Sequence, residues 1–416
     1  MTRRSAPVFR WTVNPATQER FPLRVGELTQ EASRWEFLYD SDYLALGKGA
    51  WELDPAGIRN KQRTAFTRVG SVPFPVFCDI ALSGWSLDAL KKRTSTFLGS
   101  DSSRSEEPWG WWERLLYAPA DGFGALFVGS PNDKPDASPA LNDALKSVTK
   151  TSLAAPDPDS SSGAMGGERP KMALYVDEKN GAPPRPVLLK FAMPSERDDS
   201  VVAEATALTL ARELGLNVPP HRVEWFNDVP ALSIERFDRG AGLNGPVYHC
   251  VSAATALDLI PGSDVEDIKR SYVQLRSKLK RSADAAELFS RIVLNAVVGN
   301  TDDHPWNTSL RQVSLGDWEL SPLYDVMPFF ARQGVPAFRM DIRRQRPARA
   351  ATRANLIAAG RQIAGLDEPE AWAIVERTTA HVRENWRRVF NSHMKRHKRA
   401  LPDDWAQVFE YDWMTD

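Results

Sequence analysis

Residues 300–307 read NTDDHPWN, directly after the apolar run LFSRIVLNAVVGN (288–300), and YDVMP follows at 324–328. The apolar positions of the run recur at three- and four-residue intervals, the spacing of a core-facing helix. A polar cluster is therefore presented at the end of a buried element. Clusters of Asn, Asp and Pro often do no more than mark turns. Here, however, Asp302, Asp303 and Asp325 all flank apolar segments, where neighbouring carboxylates are costly unless positive charge sits between them. A divalent cation is the candidate.

The chain has 416 residues, 42% hydrophobic and 26% charged, with 53 basic against 54 acidic side chains. That length admits two or three domains with a sizeable core, and the charge balance gives no polyelectrolyte signature for nucleic acid. The two cysteines, Cys78 and Cys250, lie far apart without metal-ligand spacing and are expected in the core of a protein from a reducing compartment. The amino terminus lacks a signal-peptide apolar region, and no stretch reaches the roughly 20 apolar residues that span a bilayer. A cytoplasmic location with no membrane partner is expected.

Residues 1–130 mix strand-like pieces (PLRVGELT, GALFVG) with aromatic segments such as RWEFLYDSDYLAL and PWGWWERLLYA, which suggests a small mixed subdomain. Residues 131–163 are rich in Pro, Asp, Ser and Ala and read as a loop or linker. Within 164–239, MALYVD and PVLLKF form a hairpin pattern across EKNGAPPR, a helix is expected over 199–216, and HRVEWF and PALSIERF read as two more strands. From 240 to 416 the chain is mostly helical, with helices expected near 264–280, 283–299, 353–364 and 368–394. No internal repeat is visible.

The order glycine turn, strand carrying Lys190, helix carrying Glu204 suits an ion pair that aims a lysine at nucleotide phosphates, although each residue alone is as readily a solvated charge. Asp302, Asn307 and Asp325 meet the spacing of a kinase base, a metal-binding Asn and a downstream metal-binding Asp. At this point a family resemblance becomes specific. DDHPWN (302–307) resembles the D-x-H-x-x-N catalytic loop of the HipA toxin kinases, LSPLYD (320–325) their L-x-P-x-Y-D segment, and IERFDR (234–239) their V-E-R-F-D-R hinge. GERPK (167–171) and LLKF (188–191) are similar to the family's glycine turn and lysine strand, and VGELT, FLY and GFGA in the first 130 residues to its amino-terminal subdomain.

The resemblance implies an α+β, protein-kinase-like bilobal fold: an amino-terminal subdomain (1–130), a linker (131–163), a β-rich nucleotide lobe (164–239) and a helical catalytic lobe (240–416). It implies an ATP- and Mg2+-dependent serine/threonine kinase. Gly166, Gly167, Lys171 and Lys190 would meet the phosphates, with Glu204 orienting Lys190, while the Glu235 backbone and Phe237 ring would hold adenine. Asp302 would be the base, Asn307 and Asp325 the metal ligands, and His304 a secondary loop or phosphate contact. Asp303 is expected at the surface or as a loop cap. Implied partners are a protein substrate such as an aminoacyl-tRNA synthetase, a HipB-like helix-turn-helix antitoxin, and operator DNA through that complex.

Two other readings share these residues: a small-molecule phosphotransferase, and a nucleotide-binding pseudokinase acting as co-repressor. One departure stands out. Where HipA kinases carry S-x-S-G with the autophosphorylated serine, this chain has Ala164-Met165-Gly166-Gly167, with Ser160, Ser161 and Ser162 just upstream. The basic runs 343–349 and 393–399 read as solvated helix faces or loops.

Overall fold

The computed structural model describes residues 3–59, 63–84, 86–88, 91, 109–133, 169–178, 181–193, 196–197, 199–226, 229–264, 267–329, 334–345, 347–394 and 403–413. The expected glycine turn at Gly166 and Gly167, the serines at 160–162, most of the 131–163 linker and most of the 393–399 basic run fall outside these residues.

Among the described residues, twelve strands form three sheets. The first contains β1 (Arg4–Val13), β2 (Arg20–Glu31), β3 (Arg34–Tyr39), β4 (Phe66–Val69) and β5 (Leu126–Val128), in the antiparallel order β4-β3-β2-β1-β5. Alternation sets its inner face: Ala6, Val8 and Arg10 of β1 are buried in turn. Gly26 on β2 is needed for close approach, since a Cβ there would lie 2.3 Å from the Leu38 carbonyl oxygen and 2.7 Å from the Phe37 ring. The second sheet contains β6 (Lys171–Val176), β7 (Arg185–Phe191), β8 (His221–Phe226) and β9 (Val229–Glu235) in the order β6-β7-β9-β8. The third contains β10 (Cys250–Ser252), β11 (Ser309–Ser314) and β12 (Asp317–Leu320).

The longer helices are α1 (Ser200–Glu213), α2 (Ser282–Val298), α3 (Arg353–Ala359), which runs on into a π-helical turn at Gly360–Ala364, and α4 (Glu368–His393). Helix α2 stops where Gly299 adopts φ 69°, a left-handed cap that glycine takes without a Cβ penalty. Helix α4 starts at a capping box, Asp367 accepting from the Glu370 N–H and Glu370 accepting from the Asp367 N–H. Its buried residues, Ala371, Val375, Val382, Trp386, Val389 and Phe390, keep to one stripe.

The expected helix over 264–280 is a correction: among the described residues there, Tyr272–Arg276 alone is helical. The Arg270 side chain bonds the Ser263 and Asp264 carbonyl oxygens, and extended Ser271 caps the short helix from its side chain. Local side-chain bonds to the backbone have displaced the helical ladder. The expected core cysteines are both buried.

The chain divides into two compact units, one of Met1–Asp198, Glu224–Val251 and Gln312–Gly316, the other of Asp199–Val223, Ser252–Arg311 and Asp317–Asp416. In the first unit, the 1–133 part is tied to later residues by polar contacts. His249 Nε2 lies 2.6 Å from the Leu53 carbonyl oxygen, Gln312 Nε2 donates to the Glu52 carbonyl at 3.3 Å, and the Gly316 N–H donates to the Glu52 carboxylate at 2.9 Å.

Candidate active site

In the second unit the loop after α2 coils around one carbonyl. The Asp302 carbonyl oxygen accepts from the His304 N–H and from Asn307 Nδ2, each at 2.9 Å, and the Asn307 N–H donates to the His304 carbonyl at 2.9 Å. Upstream, Asn300 Nδ2 donates to Asn295 Oδ1 at 3.1 Å, pinning the loop to the last turns of α2. This leaves the Asp302 carboxylate half-exposed, with Arg339 Nε at 3.6 Å. His304 packs edge-on to Trp306, and its buried Nδ1 has no hydrogen-bond partner among the described residues.

Asp303, expected at the surface, is instead 3% exposed. Its carboxyl accepts from the Tyr272 hydroxyl and from the Arg339 N–H, both at 2.7 Å. Burial pushes it up to about 8 against those two bonds, with the neighbouring Asp302 charge adding to the rise. Asp303 is thus a neutral internal strut at neutral pH, joining the loop to the 272–276 helix and to residue 339. Nothing in the local sequence announces this, because both partners lie more than 30 residues away.

Asp325 is held at φ 57°, a conformation rare for residues with a side chain. The preceding Tyr324 donates its hydroxyl to the Trp306 carbonyl at 3.0 Å, so Asn307 and Asp325 each follow a residue of one bonded pair. This is the pair assigned to magnesium from the sequence. Their donors are hard oxygens, since the Asn307 amide nitrogen is committed to Asp302 and leaves its Oδ1 as the ligand end. Among the described residues no group of three or more His, Cys, Asp or Glu could enclose a metal. By their chemistry, an amide oxygen and a carboxylate suit a hard cation that takes its remaining ligands from phosphate oxygens and water, as Mg2+ ordinarily does. Glu204, also in this unit, is fully buried on α1.

In the first unit, Val187, Leu189 and Phe191 of β7 join the apolar cluster with Met172, Leu174 and Val176 of β6. Lys190 alternates to the other face, directly opposite Lys171, and pairs on its other side with Leu232 of β9. At the end of β9 the Glu235 carboxylate lies 3.6 Å from Arg185, and the Arg236 N–H donates to the Pro186 carbonyl. Phe237 is half-buried just beyond.

The residues between Glu235 and Arg239 hold a feature that the sequence reading passed over. Arg236 and Arg239 are buried, and their guanidiniums donate to the carbonyl oxygens of Gly122 (2.7 and 2.8 Å) and, from Arg239, Gly124 (2.7 Å). Asp238 takes two bonds from Arg236 and accepts the Gly124 N–H at 2.9 Å, while Asp121 accepts from Arg239 at 2.9 Å. Burial alone would raise the Asp121 carboxyl, but Arg236 and Arg239 outweigh it and hold the group at about 2. Gly124 adopts φ +69° and lies so close to Cys250 that a Cβ would sit 2.8 Å from its carbonyl oxygen. The GFGA turn and the hinge stretch, read separately as family motifs, are thus two halves of one buried ionic clasp. The signal available was two arginines and an aspartate within four residues at the end of an apolar strand.

No helix among the described residues is long and apolar enough to cross a membrane. Comparison with known proteins bears on the whole arrangement. A protein named "Putative kinase Y4mE", of Sinorhizobium fredii, is 32% identical over 132 residues, which are 30% of this chain and 31% of that protein's length. The solved complex of Shewanella oneidensis HipA with HipB and its operator DNA contains a chain that superposes with a TM-score of 0.65 at 17% identity, covering 97% of this chain and 94% of that one. The α+β, kinase-like fold expected from the sequence is therefore the fold found. The family model described as the HipA-like C-terminal domain matches residues 163–386, more than half of the sequence, and the chain belongs to the HipA-like family.

Proposed function

We propose that this protein is an ATP-dependent serine/threonine kinase of the HipA type, a toxin that phosphorylates a translation component and is neutralised by a HipB-like, DNA-binding antitoxin. The observation that carries the reading is the catalytic loop. It offers a half-exposed carboxylate, Asp302, on a loop otherwise consumed by internal bonds, with Asn307 and Asp325 linked through Tyr324 and Trp306. In this reading Lys190 and Lys171 bind nucleotide phosphates, Glu204 orients Lys190, and Gly166 and Gly167 let the backbone approach the phosphates. The Glu235 backbone and Phe237 hold adenine. Magnesium would neutralise phosphate charge while held by Asn307 and Asp325, with His304 lending a ring nitrogen nearby. Asp302 accepts the proton of the acceptor hydroxyl as that oxygen attacks the γ-phosphorus.

The absence of serine at 164–167 supports restraint by the antitoxin rather than by phosphorylation of the glycine turn. The test is transfer of labelled γ-phosphate to a cell lysate by wild type and Asp302→Asn. General-base catalysis is worth roughly 100- to 10,000-fold, so the variant should lose at least that much rate while retaining ATP binding. A variant with more than about a tenth of the wild-type rate would remove Asp302 from the role.

A further inference from the structure

Four buried polar side chains close a ring behind the loop that carries Asp302. Asn300 Nδ2 donates to Asn295 Oδ1 on α2 at 3.1 Å, which leaves the Asn295 amide nitrogen for its hydrogen bond to the Tyr272 hydroxyl. That hydroxyl donates to Asp303 Oδ2 at 2.7 Å, and the backbone of residues 300–303 completes the circuit. Tyr272, Asn295, Asn300 and Asp303 are each at most 6% exposed. Polar groups are more costly to bury than apolar side chains of similar size, and what a satisfied network supplies in return is a unique arrangement. The cost shows at Asp303, whose carboxyl burial pushes up to about 8.

The ring also reaches forward. The other Asp303 oxygen accepts the Arg339 N–H at 2.7 Å, and the Arg339 guanidinium turns back to within 3.6 Å of the Asp302 carboxylate. Arg339 lies in residues 336–351, which fold back on themselves: the Ala351 N–H donates to the Pro336 carbonyl at 2.8 Å and the Phe338 N–H to the Arg349 carbonyl at 2.9 Å. The Asp341 N–H donates to the Arg270 carbonyl at 2.9 Å, and its carbonyl accepts the Tyr272 N–H at 3.0 Å. Tyr272 thus grips this segment twice, by its own backbone and, through Asp303, by its hydroxyl. The Asp302 backbone is fixed by His304 and Asn307, while its carboxylate is half-exposed with Arg339 as ion-pair partner. A base must present its oxygen within hydrogen-bond reach of the acceptor hydroxyl, and a displacement of about 1 Å can cost ~100-fold in rate.

We propose that Tyr272 is a positioning residue for phosphoryl transfer: its hydroxyl fixes Asp303, Asp303 fixes the backbone of Arg339, and Arg339 sets the direction of the Asp302 carboxylate. The proposal rests on the kinase reading for the role of Asp302 as base. Tyr272 is buried and acts through these partners, so its loss falls on turnover rather than on affinity for MgATP. A hydroxyl that served stability alone would behave differently. Tyr272→Phe would then lower the melting temperature and leave the folded enzyme at full rate, and Arg339→Ala, at a side chain 59% exposed, would change neither.

The test compares full-length wild type, Tyr272→Phe, Arg339→Ala and the double variant for transfer of labelled γ-phosphate from MgATP to the proteins of a cell lysate, at a temperature where melting curves show all of them folded. Each single variant should lose about tenfold to 100-fold in maximal rate, with the KM for ATP within about twofold of wild type. The double variant should be no more than about twofold slower than the slower single one, because both changes break one series of contacts. Hydrogen exchange without nucleotide supplies a second reading. In Tyr272→Phe, peptides spanning 300–307 and 336–342 should exchange about threefold to tenfold faster relative to those of α4, the effect of one lost hydrogen bond. A Tyr272→Phe rate within about twofold of wild type, an unchanged Arg339→Ala, losses that multiply in the double variant, a loss confined to the KM for ATP, or unchanged exchange in both peptides each overturns the proposal. A wild type that transfers phosphate to no acceptor removes the kinase reading instead, and the exchange rates then decide whether Tyr272 holds Arg339 against the loop.

Discussion

Asp302 and Asp303 are chain neighbours in opposite electrostatic settings. One carboxylate is half-exposed beside a guanidinium, and the other is enclosed and pushed up to about 8. The sign of the resulting pH dependence is fixed. Between the ordinary 3.8 and about 8, folded Asp303 keeps a proton that the unfolded chain has released, so its ionisation erodes stability as pH rises through that window and no further above it. Asp303→Asn has no proton to lose and retains an acceptor for the Arg339 N–H, while its Nδ2 would turn the Tyr272 hydroxyl from donor into acceptor. Its melting temperature relative to wild type should therefore climb steadily from pH 5 to pH 8, by the equivalent of on the order of a few kcal/mol, and then level off. A constant difference across that range would mean that Asp303 is ionised in the folded protein. The DxHxxN spacing made Asp302 legible in the sequence, since a base, an asparagine and a later aspartate must keep their order along the chain. Burial of Asp303 was not legible, because it depends on Tyr272 and Arg339 meeting it in space.

At the scale of elements, periodicity served where one apolar face decided the matter. Helices α2 and α4 fall within a residue or so of their expected bounds because each buries a continuous stripe and carries its own stop or start signal, Gly299 and the Asp367–Glu370 box. It failed at 264–280, where Arg270 and Ser271 spend their side chains on the backbone. The π-helical turn after α3 shows a further packing demand. A Cβ on Gly360 would lie 2.6 Å from the Ala371 Cβ on α4 and 3.2 Å from the Phe289 ring on α2. Replacing a helical glycine by alanine ordinarily gains ~1 kcal/mol, whereas forcing a methyl into a filled contact costs ~1–3 kcal/mol. Neither an alanine Cβ nor a ring held by a packed helix yields easily, so the cost should win. Gly360→Ala should lower the urea midpoint, and a raised midpoint would show that the helices can part there without penalty.

At the scale of the molecule, the sequence set an amino-terminal subdomain apart from a nucleotide lobe; all four strands of the second were read, but in the first only PLRVGELT and GALFVG were, while β1, β3 and β4 were not. Their motifs were visible as motifs, but that GFGA and IERFDR are partners was not, since a pattern along the chain carries no record of pairing across more than a hundred residues. With the clasp of Asp121, Arg236, Asp238 and Arg239 in place, the chain between residues 134 and 168 should not be needed as a covalent tether. A protein cut there by an introduced protease site should behave as a split protein: the two fragments should co-elute on gel filtration in native buffer, held by the clasp and by the contacts of Glu52 and Leu53. Arg236→Ala with Arg239→Ala would leave Asp121 and Asp238 buried without their counter-charges, a loss of several kcal/mol for a paired internal charge, and the fragments should then part. If the unmutated halves separate on their own, covalent continuity rather than the clasp keeps the pieces together. If they stay joined, the protein supplies a ready two-piece reporter whose reassembly can be read out without any engineered interface.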